Sequence, residues 1–206
     1  MDAVPMFPLG SVLFPHTPLV LRIFEPRYLI MLGRLLDEED PHFGVVLIAR
    51  GHEAGGGDQR NTIGTMARIA QVQVGADDLH LIAVGADRFA VDRWLDEDPH
   101  PAADVTPLPR LTWNDELGPL RTEAERVVRR VLGRAADRGD TRWQPDVELS
   151  DDPIESVWQL AAIAPLGDFD RYRLLQSTTA GGLLRETIDL TLDIEPLFTA
   201  PMDPDV

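Results

Sequence analysis

The chain has 206 residues, 44% of them hydrophobic, and a formal net charge of −16. It contains no cysteine, and all 19 basic residues are arginine, which excludes disulfides, thiol nucleophiles, thiolate metal sites, Schiff-base chemistry, a Ser–Lys dyad and a Walker A loop. A uniformly acidic chain repels phosphate backbones and anionic lipid, so neither nucleic acid nor a membrane is an expected partner.

Residues 4–9 form a short apolar run interrupted by Pro5 and Pro8. A turn-rich segment with Gly10, Pro15 and Pro18 follows, then a β-like run over residues 19–24. Glu25-Pro26 starts a helix, because proline is tolerated in a first helical turn. Tyr28, Met31, Leu32, Leu35 and Leu36 then share one face at helical spacing. The stretch reads as strand, prolyl loop, strand and helix; a connection this rich in proline is stiff and poorly suited to a central sheet strand, so it is expected to wrap around another element. The acidic residues at 37–40 form the exit turn, at the wrong end of the helix for its dipole.

Residues 43–49 are almost continuously apolar and read as a strand buried on both faces. The Gly-rich stretch 50–61 lacks GxGxxG spacing and no amphipathic helix follows it, so it reads as a flexible hairpin loop, not a phosphate cradle. Residues 62–74 read as a long strand with a bend or bulge at Gly64. A turn at 75–78, a strand over 79–84, a further turn at Gly85-Ala86-Asp87 and a strand over 88–95 follow. Residues 102–108 read as an edge strand, since Pro107 and Pro109 argue against a central one.

The composition changes near residue 111. Leu117, Leu120, Ala124, Val127, Val128, Val131, Leu132 and Ala135 make one apolar helical stripe, with Thr112 or Asn114 as cap. Asp152-Pro153-Ile154-Glu155 starts a second helix. Pro165-Leu166-Gly167 ends that helix, and Asp168 is placed to cap a third with Phe169, Tyr172 and Leu175 on its buried face. A last helix runs through Leu183, Leu184, Ile188 and Leu192. The expected architecture is α+β: a β-rich open-barrel lobe with one helix over 1–110, a helical bundle over 111–200, and a frayed tail over 201–206.

The segment FPLGSVLFPHTPLVLRIFEPRYLIML resembles the start of the substrate-binding N-terminal domain of the ATP-dependent protease Lon. A second segment, with Gly64, Thr65, Ala67 and Ile69 followed by Gly85 and Arg88, resembles the Gly-Thr-x-Ala-x-Ile and Gly-x-x-Arg strands of the same family. The resemblance covers about residues 4–198. It implies a stand-alone substrate-recognition domain without the ATPase and peptidase of Lon, since the chain lacks the length and the lysine for either.

The search for chemistry finds little else. No two of the five histidines, His16, His42, His52, His80 and His100, are spaced for a helical metal pair, and no G-x-S-x-G elbow surrounds any of the four serines. Arg88 reads as a brace for a turn carbonyl or a partner for an aspartate. No catalytic residue, metal or cofactor is assigned. The expected function is a non-catalytic module that binds unfolded or peptide segments or a protein partner. Phe14, Trp94 and Trp113 are its candidate contacts, weighed against ordinary core packing, and a groove between lobes is the expected location. The other reading is a small-molecule-binding protein or an enzyme with a site in the β-lobe cavity. With no apolar run of transmembrane length and no basic leader at Met1-Asp2, the expected location is the cytoplasm.

Overall fold

Val4–Leu9 (β1) lies inside a six-stranded sheet despite its two prolines. In the computed structural model, which describes residues 3–50, 59–75, 78–139 and 142–199, the chain divides into two units between Arg110 and Leu111. The first unit holds β1, β2 (Pro18–Ile23), α1 (Pro26–Leu35), β3 (His42–Arg50), β4 (Gln59–Val74), β5 (Leu79–Trp94) and β6 (Ala102–Pro107). The strands are ordered β2-β5-β4-β3-β1-β6, and β6 pairs again with β5. The ladder through β5, β4, β3, β1 and β6 therefore returns on itself, and β2 is appended to β5 alone.

One proline-based expectation is corrected here, and β1 shows why. β1 runs parallel to β3 over Met6–Leu9 and pairs antiparallel with β6 only at Val4 and Pro5. β6, expected at an edge, has neighbours on both sides. Proline is excluded from a sheet only where its missing N–H is needed by a neighbour. The two-residue overlap of β1 with β6 leaves Pro8 with one neighbouring strand, and Pro107 lies beyond that overlap, paired only with Phe89 on β5.

A second correction concerns residues 85–87, which do not turn. β5 is one sixteen-residue strand that pairs with β2 through its first six residues and with β6 through Phe89–Trp94. Gly85 sits where the partner changes. The Gly64 region does carry an irregularity: the β4–β5 register shifts between Thr65 and Ala67.

One face of the sheet is covered by α1, whose Tyr28, Met31, Leu32 and Leu35 join Phe7, Phe43, Val45, Ala67 and Leu81 in a buried cluster. Phe7 stacks on Tyr28 with ring centroids 4.0 Å apart. Pro26 at the first helical position begins α1. Leu36, assigned by spacing to the buried face, is exposed and forms the C-cap. The opposite cluster is Met6, Val46, Phe89 and Ala103, with Trp94 packed against it.

The second unit contains a 3-10 turn (Asp115–Leu117), α2 (Gly118–Ala136), α3 (Pro153–Ile163), α4 (Asp168–Leu175) and α5 (Ala180–Thr199). Asn114 caps the turn by accepting from the Glu116 N–H. Asp152 caps α3 by accepting from the Ile154 and Glu155 N–H groups. Buried Thr187 and Thr191 donate to the Leu183 and Thr187 carbonyls, so their hydroxyls are satisfied inside α5. In α4 the N-cap is Gly167, not Asp168, and Phe169 is 76% exposed. Leu174 and Leu175 define the buried face, and Phe169, five residues before Leu174, lies about 140° away from it at 100° per residue. Among the described residues no helix is long and apolar enough to cross a membrane. Of the expected loop over 50–61, Arg50 ends β3 and residues 59–61 begin β4, which is a correction, while residues 51–58 and the expected tail lie outside the described residues.

Candidate functional site

The prolyl segment between β1 and β2 is locked onto the sheet by the residues that carry the family resemblance. Buried Thr65 donates its hydroxyl to the Leu13 carbonyl at 2.7 Å. Gly85 exchanges backbone bonds with the loop: its N–H donates to the Thr17 carbonyl at 2.9 Å, and its carbonyl accepts from the His16 N–H at 2.8 Å. The Thr17 hydroxyl closes the loop on the Phe14 carbonyl at 2.7 Å. A Cβ at Gly85 would collide with that same Phe14 oxygen, and a Cβ at Gly64 would collide with the Val45 carbonyl and stand 2.6 Å from the Phe89 ring. Buried Arg88 donates to the Pro109 carbonyl at 3.2 Å, the bracing role read from sequence. Burial lowers the Arg88 pKa from its ordinary value. These residues hold backbone in place.

The loop delivers β2 to the open edge of the sheet. β2 is terminal and pairs with β5 in the register Pro18–Val84 to Ile23–Leu79. Because Thr17 stands opposite Gly85 and accepts its N–H, Thr17 occupies a hydrogen-bonded position of the antiparallel ladder. The alternation of that ladder turns the backbone groups of Leu19, Leu21 and Ile23 toward β5. Those of Pro18, Val20 and Arg22 face the open side, which has N–H donors at Val20 and Arg22 and carbonyl acceptors at all three.

Side chains at this edge are apolar on both faces. Leu19 and Leu21 pack partly against the α1-covered core. On the other face Val20 is 71% exposed, directly across from Ile82, which is 38% exposed. Phe24, just past the strand, is 59% exposed. Arg22 is occupied by an ion pair with Asp78, which His80 also approaches at 3.6 Å. Large apolar side chains exposed next to an unpaired strand are the features of a strand-accepting edge.

The three residues singled out from sequence have different surroundings. Phe14 is fully buried and presents its carbonyl to Thr17. Trp94 is half-buried; it packs against the Met6–Phe89 cluster, and the Arg60 guanidinium lies 4.6 Å above its ring. Arg60 is held there by an ion pair with Glu97, which Arg27 also approaches at 3.6 Å. Trp113, in the second unit, is half-buried and donates its indole N–H to Asp115 at 3.0 Å. The residues sequence reasoning passed over are Val20, Phe24 and Ile82.

A polar cleft of about 400 Å³ lies between the end of α4 and the start of α5, lined by Arg173, Ser177, Thr178, Thr179 and Glu186 among others. Arg173 is paired there with Asp170 and Glu186, so its charge is already balanced within the protein.

Three comparisons bear on the class of domain that the returning strand ladder, the docked prolyl loop and the helical unit make up. The sequence profile described as the ATP-dependent protease La (LON) substrate-binding domain matches residues 3–192. The chain belongs to that family. It is 28% identical over 137 residues to Lon protease 2 of Sorangium cellulosum (strain So ce56), a match covering 64% of this chain and 17% of that protein. The crystal structure of a Lon N-terminal domain protein from Xanthomonas campestris superposes with a TM-score of 0.64 at 27% identity, over 92% of this chain and 98% of that one. The N-terminal domain of the Mycobacterium avium complex Lon protease gives the same TM-score at 18% identity, over 93% and 99% of the two chains, and shares the fold.

Proposed function

We propose that this chain is a non-catalytic module that holds unfolded or extended polypeptide segments through its N-terminal unit. The observation that carries the reading is the open β2 edge, where Val20 and Phe24 expose apolar surface beside backbone groups without a partner strand. Membership of the Lon substrate-binding family supports a role in delivering polypeptides to proteolysis. Trp94, half-buried in the same unit, remains a candidate contact, and Trp113, half-buried in the second unit, is a candidate for an additional one. Phe14, buried, supports the loop that presents the edge.

The test is titration of a fluorescently labelled, reduced and permanently unfolded polypeptide with the full chain, read by anisotropy. Saturable binding is expected, weakened about tenfold by Val20→Ser with Phe24→Ser, since burial of each side chain contributes about 1.5–3 kcal/mol when complete and less when partial. Trp94→Ala and Trp113→Ala, measured beside it, report whether those rings share the contact. Absence of binding at high-micromolar concentration would overturn the proposal.

A further inference from the structure

We infer that the polypeptide is held as an additional strand, hydrogen-bonded to the open edge of β2 through Val20 and Arg22, and that the preferred segment is extended, rich in apolar residues and neutral or cationic. The inference rests on the polypeptide-binding reading and specifies its geometry.

The backbone sets the mode. Pro18, Val20 and Arg22 turn their main-chain groups outward, an assignment fixed by the Gly85 N–H bond to Thr17. Among the described residues no hydrogen bond is made to these outward groups. An incoming strand can bond to the Val20 and Arg22 N–H and C=O groups, as in strand-addition recognition generally. Pro18 has no N–H to offer, which limits the accepting run to its C-terminal part. That proline, the charged Arg22 side chain and a strand of only six residues are also devices that keep an edge from pairing indiscriminately.

The side chains set the preference. Successive residues of an added strand alternate between two faces. One set falls beside Val20 and Ile82, the other beside Leu19 and Leu21. Both rows are apolar, so the edge favours a segment apolar on both faces, the kind of stretch a folded protein buries and an unfolded one exposes. Charge narrows the choice further. The chain carries −16 overall, and the only cation on the strand, Arg22, is already paired with Asp78. An acidic segment is repelled and a basic one attracted.

The probe is a fluorescent ten-residue peptide of alternating valine and leucine, apolar on both faces of a strand, flanked by arginines and tested against the full chain. Two versions carry N-methyl groups on alternate backbone amides, one set in each register. Amide hydrogen exchange of the protein is followed in parallel. The expected result is saturable binding that one N-methyl set weakens about tenfold or more and the other leaves nearly intact, because only one set faces the edge. Exchange at the Val20 and Arg22 amides slows on binding. A variant peptide with glutamates in place of the arginines binds more weakly, by a margin that shrinks with added salt. Val20→Pro, which removes an outward N–H, reproduces the weakening in a protein whose circular dichroism is unchanged. If the unfolded polypeptide binds while both N-methyl sets behave like the parent peptide, strand addition is overturned and the broader reading survives. If neither polypeptide nor peptide binds, both fall. Protection of the Val20 and Arg22 amides that rises with protein concentration alone would assign the edge to a second copy of the chain and overturn the inference.

Discussion

Thr65→Val isolates one hydrogen bond that ties the prolyl loop to the sheet. The two side chains have nearly the same shape, but the substitution puts a methyl group, which cannot donate, where the hydroxyl stood 2.7 Å from the Leu13 oxygen, so the bond is lost and the two groups must move slightly apart. Thr65 is fully buried, and its hydroxyl donates to the Leu13 carbonyl at 2.7 Å. Without it a buried carbonyl loses this donor, which costs about 1–3 kcal/mol. A loss of about 2 kcal/mol corresponds to a fall in Tm of about 4–8 °C for a chain of this size. The assay is thermal and urea unfolding of wild type and variant, with Thr62→Val, exposed on the same strand, as a control that stays within about 0.5 kcal/mol. The loss should also be local: exchange of the His16 amide, which bonds to Gly85, should quicken more than that of amides in β3. A Tm within about 1 °C of wild type, with His16 exchange unchanged, would refute the claim that this hydroxyl anchors the loop.

Gly85→Ala should destabilise the N-terminal unit by about 1–3 kcal/mol, read by urea unfolding, because the added carbon meets the Phe14 carbonyl and not a movable side-chain end. Asp152→Ala should cost about 1 kcal/mol by removing the cap that accepts two N–H groups at the start of α3; Asp152→Asn should retain most of it. The Asp87 pKa is lowered, first by its hydrogen bonds from Arg110 and then by the charge of Arg110. A depressed carboxyl stabilises the fold above its unfolded value and loses that contribution as pH falls through its folded value. Asp87→Asn should therefore be less stable than wild type near neutrality, and the difference should shrink as pH drops below the ordinary carboxylate range. Urea unfolding at several pH values checks the sign.

Apolar runs of strand length were enough to place β1–β4, and apolar residues at helical spacing placed α1 and the helices of the second unit. β5 was misread as two strands because Gly85-Ala86-Asp87 has the composition of a turn. Gly85 is there for room, not for a positive φ: the Phe14 carbonyl occupies the space a side chain would need. Nothing local in a sequence separates those two uses of glycine. The prolines near β6 misled for a related reason, since the rule concerns N–H groups that a neighbour needs, and the β1–β6 overlap is only two residues long. Phe169 was assigned inward because two helical turns fix a phase poorly. Val20 and Phe24 escaped notice because residues 19–24 are apolar almost throughout, and such a run does not mark which of its members is exposed. Their exposure follows from the terminal position of β2, a property of the whole sheet.

The residues that reveal the family and the residues proposed to meet a polypeptide are different sets, and the reason is physical. Gly64, Thr65, Ala67, Gly85 and Arg88 each satisfy a constraint set by neighbouring backbone or close packing: a carbonyl that needs a donor, or a space too small for a larger side chain. Few residue types meet such constraints, so they are legible in sequence. Val20 and Phe24 face solvent, where many side chains fit the fold equally well. In strand addition the main chain supplies much of the affinity and exposed side chains tune the preference. Substitutions at Val20 should therefore shift which peptides bind while moving Tm by no more than about 1–2 °C. Thr65→Val should do the reverse, lowering Tm while leaving peptide preference as it was once the protein is folded. A peptide series measured on both variants separates the two roles; a Val20→Thr variant that loses stability and binding together would show that the edge belongs to the scaffold after all.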